Sequence, residues 1–205
     1  MNHELLTMNQ PKPMNTNQPK PLFVTGIGTG VGKTYVSAHL VETMQADYWK
    51  PIQSGDLEAT DTMKVRNMVQ NPVSVFHPEA YRLTQPFSPH KSAELDGIVI
   101  NPANIILPKT QNQLIIEGAG GLMVPLNDSF LMIDLIVQLQ AEVVLVVMHY
   151  LGSINHTLLS IEMLKQKGLP INRIIFNGIK EAFSENVIQG LHPELNYGYL
   201  DWMES

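Results

Sequence analysis

The sequence contains no cysteine, has few charged residues and lacks any long hydrophobic run. Without cysteine the chain can form neither disulfides nor thiolate metal sites, which fits a reducing compartment, and we expect a cytoplasmic location. The longest apolar run, Val143 to Met148, is far shorter than the roughly 20 residues that a membrane-spanning helix requires. The formal net charge is -6, and clusters of lysine and arginine that would attract nucleic acids or anionic membranes are missing. These absences predict that neither a nucleic acid nor a membrane is a partner.

The first 21 residues differ in composition from the rest of the chain. They contain the sequence NQPKP twice, at Asn9 to Pro13 and at Asn17 to Pro21, in a segment rich in Asn, Gln, Pro and Met. Such a segment buries too little apolar surface to offset the entropy of ordering it. We therefore predict a disordered N-terminal tail over residues 1–21. Residues 22–205 are predicted to form a single domain, a size that one hydrophobic core can stabilise.

From Leu22 onward, short apolar runs alternate with longer segments of helical periodicity. Leu22 to Thr25 is typical of a buried strand, and the segment after Lys33 is typical of a helix. The other predicted strands are rich in β-branched or aromatic residues and comprise Asp47–Lys50, Leu114–Glu117, Val143–His149 and Arg173–Asn177. This alternation predicts an α/β fold with a mostly parallel central sheet and helices on both faces.

Two further helices are predicted from their capping residues. One runs from about Phe130 to Gln140 with Asp128 or Ser129 at its start, and the other begins at a Ser153 cap. Residues 71–108 hold six of the fourteen prolines. This proline content predicts loops and short helices there, and connections of this kind often carry substrate contacts.

A glycine-rich loop, Gly26 to Thr34, lies between the first predicted strand and its helix. Glycines let backbone N–H groups surround phosphate oxygens, Lys33 can neutralise the β- and γ-phosphates, and Thr34 can ligate magnesium. The spacing departs from the usual pattern, since five residues separate Gly26 from Gly32. The loop predicts a P-loop NTPase-like three-layer fold. The residues expected to contact ATP here are Gly28, Thr29, Gly30, Val31, Gly32, Lys33 and Thr34.

Three more polar or glycine-rich segments follow predicted strands. They are Trp49 to Gly55 (WKPIQSG), Ile116 to Gly121 (IEGAGG) and Leu151 to His156 (LGSINH). In an open α/β sheet, ligands bind at the carboxyl ends of the strands. The three segments are therefore expected to lie around one active site.

Together with the glycine loop, these segments resemble the dethiobiotin synthetase family. Its members carry a GTDTxVGKT-like loop, a KPxxSG or KPxxTG segment, an EGAGG segment and a GxINH segment, and Ser88-Pro89-His90 matches a further family position. The resemblance covers Phe23 to His156. It implies a homodimeric cyclo-ligase that uses ATP, Mg²⁺ and CO₂ or bicarbonate to convert 7,8-diaminopelargonic acid into dethiobiotin in biotin biosynthesis.

The chemistry implied by the resemblance assigns roles to particular residues. A carbamate formed from CO₂ and an amine would attack the γ-phosphate, and the neighbouring amine would then close the ring. Such phosphoryl transfer depends on positioning and charge neutralisation, so the expected catalytic residues are Lys33, Lys50 and Thr29. Lys50 is expected to hold the carbamate, with hydrogen bonds from Thr29 and Ser54. A solvated lysine before a proline is the alternative for Lys50.

Magnesium is expected to be bound by Thr34, Glu117 and one more carboxylate, because this ion prefers oxygen ligands. Glu117 ends an apolar strand, although a carboxylate there can also simply cap the glycine turn that follows. Asp61 matches the aspartate that follows KPxxSG in the family. Asp56 is the competing choice.

The remaining predicted contacts are with the substrate carboxylate and with adenine. Gly152, Ser153 and Asn155 open a helix whose free N–H groups can bind an anion, and in the family this segment receives the substrate carboxylate from the neighbouring subunit. An ordinary helix cap is the alternative. Asn177 is expected to contact adenine, although the aspartate that follows it in the family is replaced by Gly178.

A P-loop ATPase switch of the partition or septum-positioning type is the main alternative function. Such switches carry a second lysine two residues before the GVGKT run, where this chain has Gly28. A pure nucleotide-binding module is the third possibility. Magnesium-dependent phosphate release that requires the diamine would exclude it.

Overall fold

A central parallel sheet organises the computed structural model, which describes residues 19–201. In this range seven strands pair in the order β11-β10-β9-β1-β6-β2-β4, and all six neighbouring pairs are parallel. Two small sheets, β3 with β5 and β7 with β8, lie beside it. The strands in chain order are β1 (Leu22–Gly26), β2 (Asp47–Trp49), β3 (Ile52–Ser54), β4 (Phe76–His77), β5 (Tyr81–Leu83), β6 (Leu114–Glu117), β7 (Pro125–Asn127), β8 (Phe130–Leu131), β9 (Glu142–Val147), β10 (Ile171–Asn177) and β11 (Tyr197–Leu200).

Helices cover both faces of the sheet. They are α1 (Lys33–Met44), α2 (Asp61–Met68), α3 (Pro89–Leu95), α4 (Met132–Gln138), α5 (Ser153–Gln166) and α6 (Ala182–Leu191), with one 3₁₀ turn at Pro102–Asn104. Adjacent residues of β1 point to opposite faces. Phe23 packs in a core with residues of α4, α5 and α6, whereas Val24 packs in a second core with residues of α1 and α2. The predicted three-layer α/β fold is confirmed.

The order of the central strands determines where the site forms. β6 lies between β1 and β2, with Val24 opposite Glu117 and Trp49 opposite Ile116. Because all three strands are parallel, their carboxyl ends lie at the same edge of the sheet. Glu117 is therefore placed between the glycine loop that follows β1 and Lys50, which follows β2.

One predicted helix start and one predicted strand end were wrong. The helix expected from about Phe130 begins at Met132, because Phe130–Leu131 pairs with Pro125–Asn127 as a short antiparallel ribbon. The carboxylate of Asp134, within the helix, accepts from the Leu131 N–H at 3.0 Å, so neither Asp128 nor Ser129 begins it. The strand expected to include Lys50 ends at Trp49.

The predicted N-terminal tail lies mostly outside the described residues, which begin at residue 19. Its last residues are joined to the sheet. The carbonyl oxygen of Lys20 accepts from the Gln113 side chain at 2.7 Å, and that of Pro21 accepts from the Glu142 N–H at 2.9 Å. Across residues 19–201, no helix is long and apolar enough to cross a bilayer.

Candidate active site

The loop between β1 and α1 has a backbone suited to binding phosphate. Gly30 and Gly32 have φ angles of 74° and 85°, in the left-handed region that favours glycine. Gly32 caps α1, whose first residue is Lys33. The N–H groups at the start of this helix are therefore available to an anion, and the helix dipole adds partial positive charge.

Lys33 is held over this loop. Its side chain donates to the carbonyl oxygen of Gly28 at 3.2 Å, and the residue is only 8% exposed. Burial lowers the pKa of Lys33 from 10.5 to about 8; the charge of Glu117 opposes this effect and that of Lys50 adds to it. A phosphate group placed against Lys33 would provide a negatively charged partner for the buried ammonium group.

From this lowered pKa we expect nucleotide affinity to depend on pH. In the ligand-free protein, Lys33 loses its proton as the pH rises through about 8, yet it must be protonated to neutralise phosphate. We expect the Kd of a non-hydrolysable ATP analogue to rise by up to about tenfold per pH unit above this pKa. Isothermal titration calorimetry over that range would measure it. A Kd that stayed constant to about pH 9.5 would contradict the assignment of the pKa to this contact.

Glu117 is the centre of a buried hydrogen-bond network. Its carboxylate, in a residue 1% exposed, accepts from Thr34 Oγ1 at 2.9 Å and from Lys50 Nζ at 3.0 Å through Oε1. Its other oxygen, Oε2, accepts from the Tyr48 hydroxyl at 2.9 Å. The donors come from α1, from β2 and from the residue after β2, so this carboxylate joins three elements of the fold.

Lys50 connects Glu117 to Asp61. Its Nζ lies 2.5 Å from Asp61 Oδ2 and 3.0 Å from Glu117 Oε1, and the residue is 4% exposed. Burial disfavours the ammonium form, but the two carboxylates outweigh burial and raise the pKa of Lys50. Burial likewise opposes the charged form of Asp61, and Lys50 with Lys64 outweighs it and lowers the pKa of Asp61. Lys50 and Asp61 are therefore both charged near neutral pH.

Local structure brings Asp61, rather than Asp56, next to Lys50. Asp61 is the first residue of α2, which Thr60 caps by accepting from the Met63 N–H at 3.2 Å. The Asp61 N–H donates to the Gln53 side chain at 3.2 Å, which ties the start of this helix to β3. Asp56 lines the same cleft from an exposed turn, where it has a φ of 52°.

The donor set at this edge fits a magnesium ion. Thr34, Asp61 and Glu117 supply one hydroxyl and two carboxylates, the oxygen ligands that Mg²⁺ prefers. Lys50 already places one positive charge between the two carboxylates, so they are arranged to hold a cation. Within residues 19–201 there is no cluster of three or more His, Asp or Glu side chains suited to a metal. Phosphate oxygens and water would have to complete the shell, which is how Mg²⁺ is commonly bound in nucleotide enzymes.

These groups line a cleft of about 1000 Å³. Its walls also include Pro86, Phe87, Ser88 and Pro89, from the segment that leads into α3. The Ser54 hydroxyl is buried and has no hydrogen-bond partner among the described residues. The predicted site residues that line the cleft are Thr29, Gly30, Gly32, Lys33, Thr34, Lys50, Ser54, Asp61 and Glu117.

The glycines after Glu117 bring two loops together. A Cβ on Gly121 would lie 3.1 Å from the carbonyl oxygen of Gly26, and one on Gly118 would lie 2.6 Å from the Phe23 ring. These glycines allow the IEGAGG segment to pack against β1 and the phosphate loop, while Gly120 lines the cleft.

Asn177 contacts the phosphate loop from β10. Its side-chain N–H donates to the carbonyl oxygen of Val31 at 3.0 Å, while its own oxygen is buried and without a partner among the described residues. Asn177 and Val31 do not line the cleft described above. Gly28 lies beside the cleft, where its carbonyl oxygen accepts from the Lys33 side chain.

The start of α5 lies outside the lining of that cleft. Gly152, Ser153 and Asn155 are absent from the walls formed by the described residues. Ser153 was predicted to cap the helix, but Gly152 occupies that position with a φ of 103°, and Ser153 is the first helical residue. A glycine takes this position because the left-handed turn before the helix is costly for other residues.

Sequence reasoning missed two residues that organise the site. Tyr48 donates to Glu117, and Gln53 accepts from the Asp61 N–H. A signal was present for both, since Gln53 lies inside the WKPIQSG segment and Tyr48 directly precedes that segment. Their targets are distant in sequence, so only the fold identifies them.

A glycine loop that joins a buried parallel strand to a helix, with Lys33 and Thr34 facing two carboxylates, defines a P-loop nucleotide-binding protein. The family model described as an AAA domain matches residues 20–205. The ATP-dependent dethiobiotin synthetase of Christiangramia forsetii is 54% identical over 173 residues, covering 84% of this chain and 83% of the relative. That of Cytophaga hutchinsonii is 51% identical over 170 residues, covering 82% of each. The chain belongs to the dethiobiotin synthetase family.

Solved structures with the same fold include partition proteins. A putative plasmid partition protein from Borrelia burgdorferi, bound to AMPPNP, has a TM-score of 0.54 at 13% identity and covers 91% of this chain and 88% of that one. A ParA family ATPase from Chlorobium tepidum has a TM-score of 0.53 at 14% identity, with coverage of 91% and 86%. At these identities the likeness concerns the fold alone, and the switch hypothesis gains no support from it.

Proposed function

We propose that this protein is an ATP-dependent cyclo-ligase of biotin biosynthesis, which forms dethiobiotin, ADP and phosphate from 7,8-diaminopelargonic acid, CO₂ and ATP. The identity to curated dethiobiotin synthetases supports the reaction. The observation that carries the assignment of roles is the buried network in which Lys50 joins Glu117 and Asp61 beside the phosphate loop.

The proposed reaction has three steps. One amine of the substrate forms a bond to CO₂ and loses a proton, which gives a carbamate. A carbamate oxygen then attacks the γ-phosphorus of ATP, the bond to ADP breaks, and a carbamoyl-phosphate mixed anhydride forms. The second amine attacks the carbonyl carbon and loses a proton, and phosphate leaves as the cyclic urea closes.

Lys50 is the residue that we assign to the carbamate. Its ammonium group is buried at the end of β2 and remains charged, so it can neutralise an anionic group without a proton transfer. The Ser54 hydroxyl, which has no partner within residues 19–201, and Thr29 line the same cleft and would donate hydrogen bonds to the carbamate oxygens. Positioning of this kind is the main contribution that a protein makes to phosphoryl transfer.

ATP is proposed to bind through the loop from Gly28 to Thr34, with Lys33 against the β- and γ-phosphates. When bound, Mg²⁺ would neutralise developing charge on the phosphates, and Thr34, Asp61 and Glu117 are the residues that would hold it. Asn177 is proposed to contact the adenine, because its buried carbonyl oxygen is free to accept from an amino group.

A homodimer located in the cytoplasm is part of the same proposal. Gly152, Ser153 and Asn155 are absent from the lining of their own cleft, which supports the proposal that they bind a substrate carboxylate in another subunit. Beside them, Leu151 is fully exposed and Leu159 largely so. Exposed apolar side chains next to a binding segment are typical of an interface.

Replacing Leu151 and Leu159 together by aspartate is therefore expected to produce a monomer. Such a monomer should have a KM for the diamine raised by at least about tenfold, the size expected when a charge-assisted contact is lost. ATP affinity should stay nearly constant. Sedimentation equilibrium together with steady-state kinetics would measure all three. A monomeric variant with an unchanged KM for the diamine would refute a shared site.

The reaction is tested by measuring phosphate release by the purified protein with ATP, Mg²⁺ and bicarbonate, with and without 7,8-diaminopelargonic acid. Dethiobiotin is followed by mass spectrometry. We expect product and phosphate in equal amounts, and only when the diamine is present. ATP hydrolysis at the same rate without the diamine would refute the proposal and favour the switch.

A further inference from the structure

We propose that Tyr48 is a positioning residue for Glu117, which it orients so that Oε1 faces the cation site. This inference rests on the proposed metal-dependent function. The starting observation is that the two oxygens of one buried carboxylate have different partners. Oε2 accepts from the Tyr48 hydroxyl at 2.9 Å, and Oε1 accepts from Thr34 and Lys50 at 2.9 and 3.0 Å.

The sheet register explains why Tyr48 reaches this carboxylate. Tyr48 pairs with Ile115 across β2 and β6, and Glu117 is two residues further along β6. Residues two apart in a strand point to the same face, so the Tyr48 ring lies diagonally opposite Glu117. A tyrosine is long enough to bridge this diagonal. Tyr48 itself is completely buried among the residues that pack beneath α1 and α2.

The donor is neutral, and this distinguishes its role from that of Lys50. A tyrosine hydroxyl is an uncharged donor, and that of Tyr48 is buried and donates to Oε2 at 2.9 Å. Tyr48 therefore fixes the orientation of Glu117 without cancelling its negative charge. Lys50 donates to Oε1 and neutralises that charge. A cation that replaced Lys50 at Oε1 would meet a carboxylate that is already oriented.

The same packing limits how Glu117 could move if the hydroxyl were absent. Glu117 is followed by Gly118, which lies against the Phe23 ring, and by a loop packed on the phosphate loop. The backbone of Glu117 is therefore fixed, while rotation of its carboxylate is restricted by the three donors. Removing the Tyr48 hydroxyl leaves Oε2 buried without its donor. The carboxylate would then rotate, so that the donors that contact Oε1 are shared between its two oxygens.

The test is Tyr48→Phe, which keeps the buried ring and removes only the hydroxyl. We expect the variant to fold, and we expect the affinity of Mn²⁺ for its complex with AMPPNP to fall by about tenfold, as is typical when the hydrogen-bond partner of a metal ligand is lost. Electron paramagnetic resonance of Mn²⁺ measures this affinity without turnover. In activity assays, the Mg²⁺ concentration for half-maximal rate should rise by a similar factor, whereas metal-free AMPPNP binding should not change.

Tyr197→Phe is the matched control. It removes a hydroxyl that donates to the carbonyl oxygen of His192 at 2.9 Å, on the opposite edge of the sheet, and should leave Mn²⁺ affinity unchanged. If Tyr48→Phe is too unstable to purify, Tyr48→Gln and Tyr48→Met are compared with each other instead. Their new side chains are similar in length. Of these two side chains, only glutamine can donate a hydrogen bond to Glu117. The Tyr48→Gln variant should therefore bind Mn²⁺ more tightly than Tyr48→Met.

Two results separate this inference from the proposed function. If the wild type and Tyr48→Phe bound Mn²⁺ with equal affinity, the proposed role of Tyr48 would be overturned, whatever their catalytic activities. Equal affinities in Tyr48→Gln and Tyr48→Met would overturn it too. A loss of thermal stability in Tyr48→Phe with no change in metal affinity would overturn it as well. If the wild type bound Mn²⁺ and AMPPNP but formed no dethiobiotin, the ring-closing function would fail, and a weaker Mn²⁺ affinity in Tyr48→Phe would still support the positioning role.

Discussion

Replacing Lys33 by alanine is expected to abolish nucleotide binding and turnover together. Lys33 is the buried cation held over the phosphate loop, 3.2 Å from the Gly28 carbonyl oxygen. Its removal leaves the β- and γ-phosphates without this neutralising charge, and loss of one such preorganised group typically lowers rates by about 10²–10³-fold or more. Calorimetry with AMPPNP and steady-state kinetics would measure the two effects.

The control for this variant is Lys167→Ala. It removes the same charge from a surface pair, in which Nζ lies 3.2 Å from Asp134 Oδ1, away from the cleft. Exposed ion pairs contribute little to stability, so Lys167→Ala should bind nucleotide and turn over almost normally.

Lys33→Ala should also gain stability relative to the wild type at neutral pH, because the buried ammonium group with its lowered pKa is unfavourable there. Normal AMPPNP affinity in Lys33→Ala would contradict the assigned role.

Lys50→Ala is expected to separate binding from chemistry. ATP should still bind within a few-fold of the wild-type Kd, because the phosphate loop and Lys33 are intact. Dethiobiotin formation should fall by at least about 10³-fold, since the carbamate loses the cation that orients it. Rapid-quench measurement of a single turnover, together with AMPPNP titration, would show whether the lost step follows nucleotide binding.

The same substitution leaves Glu117 and Asp61 without their shared partner. Breaking a buried ion pair costs about 3–5 kcal/mol, so Lys50→Ala should be less stable without metal. Mg²⁺ should restore much of that stability, because it can take the place of the ammonium group between the carboxylates. Lys64→Ala is the matched control, since Lys64 is half-exposed and lies 3.5 Å from Asp61 Oδ1. Turnover of Lys50→Ala at the rate of Lys64→Ala would refute the proposed mechanism.

The positions of the phosphate-loop residues were easier to predict than side-chain partners. The GVGKT run combines glycine, lysine and threonine at adjacent positions, so its backbone conformation and chemistry are local properties. The structure accordingly places Thr29, Lys33 and Thr34 on the cleft. Helix starts were less predictable. Ser153 is of a residue type common at helix N-caps. The strand-to-helix turn before α5 needs a positive φ, however, and Gly152 takes that position.

The sequence by itself determined the α/β alternation, the phosphate loop and the family, because these depend on local periodicity and on contiguous motifs. Only the tertiary structure decided which carboxylate meets Lys50, and that Tyr48 donates to Glu117. The Lys50–Glu117 and Tyr48–Glu117 contacts join residues 67 and 69 positions apart. Such contacts arise from the order and register of β1, β6 and β2, which place the ends of strands distant in sequence at one edge of the sheet. A sequence pattern specifies each strand, but the pairing of strands depends on packing across the whole core.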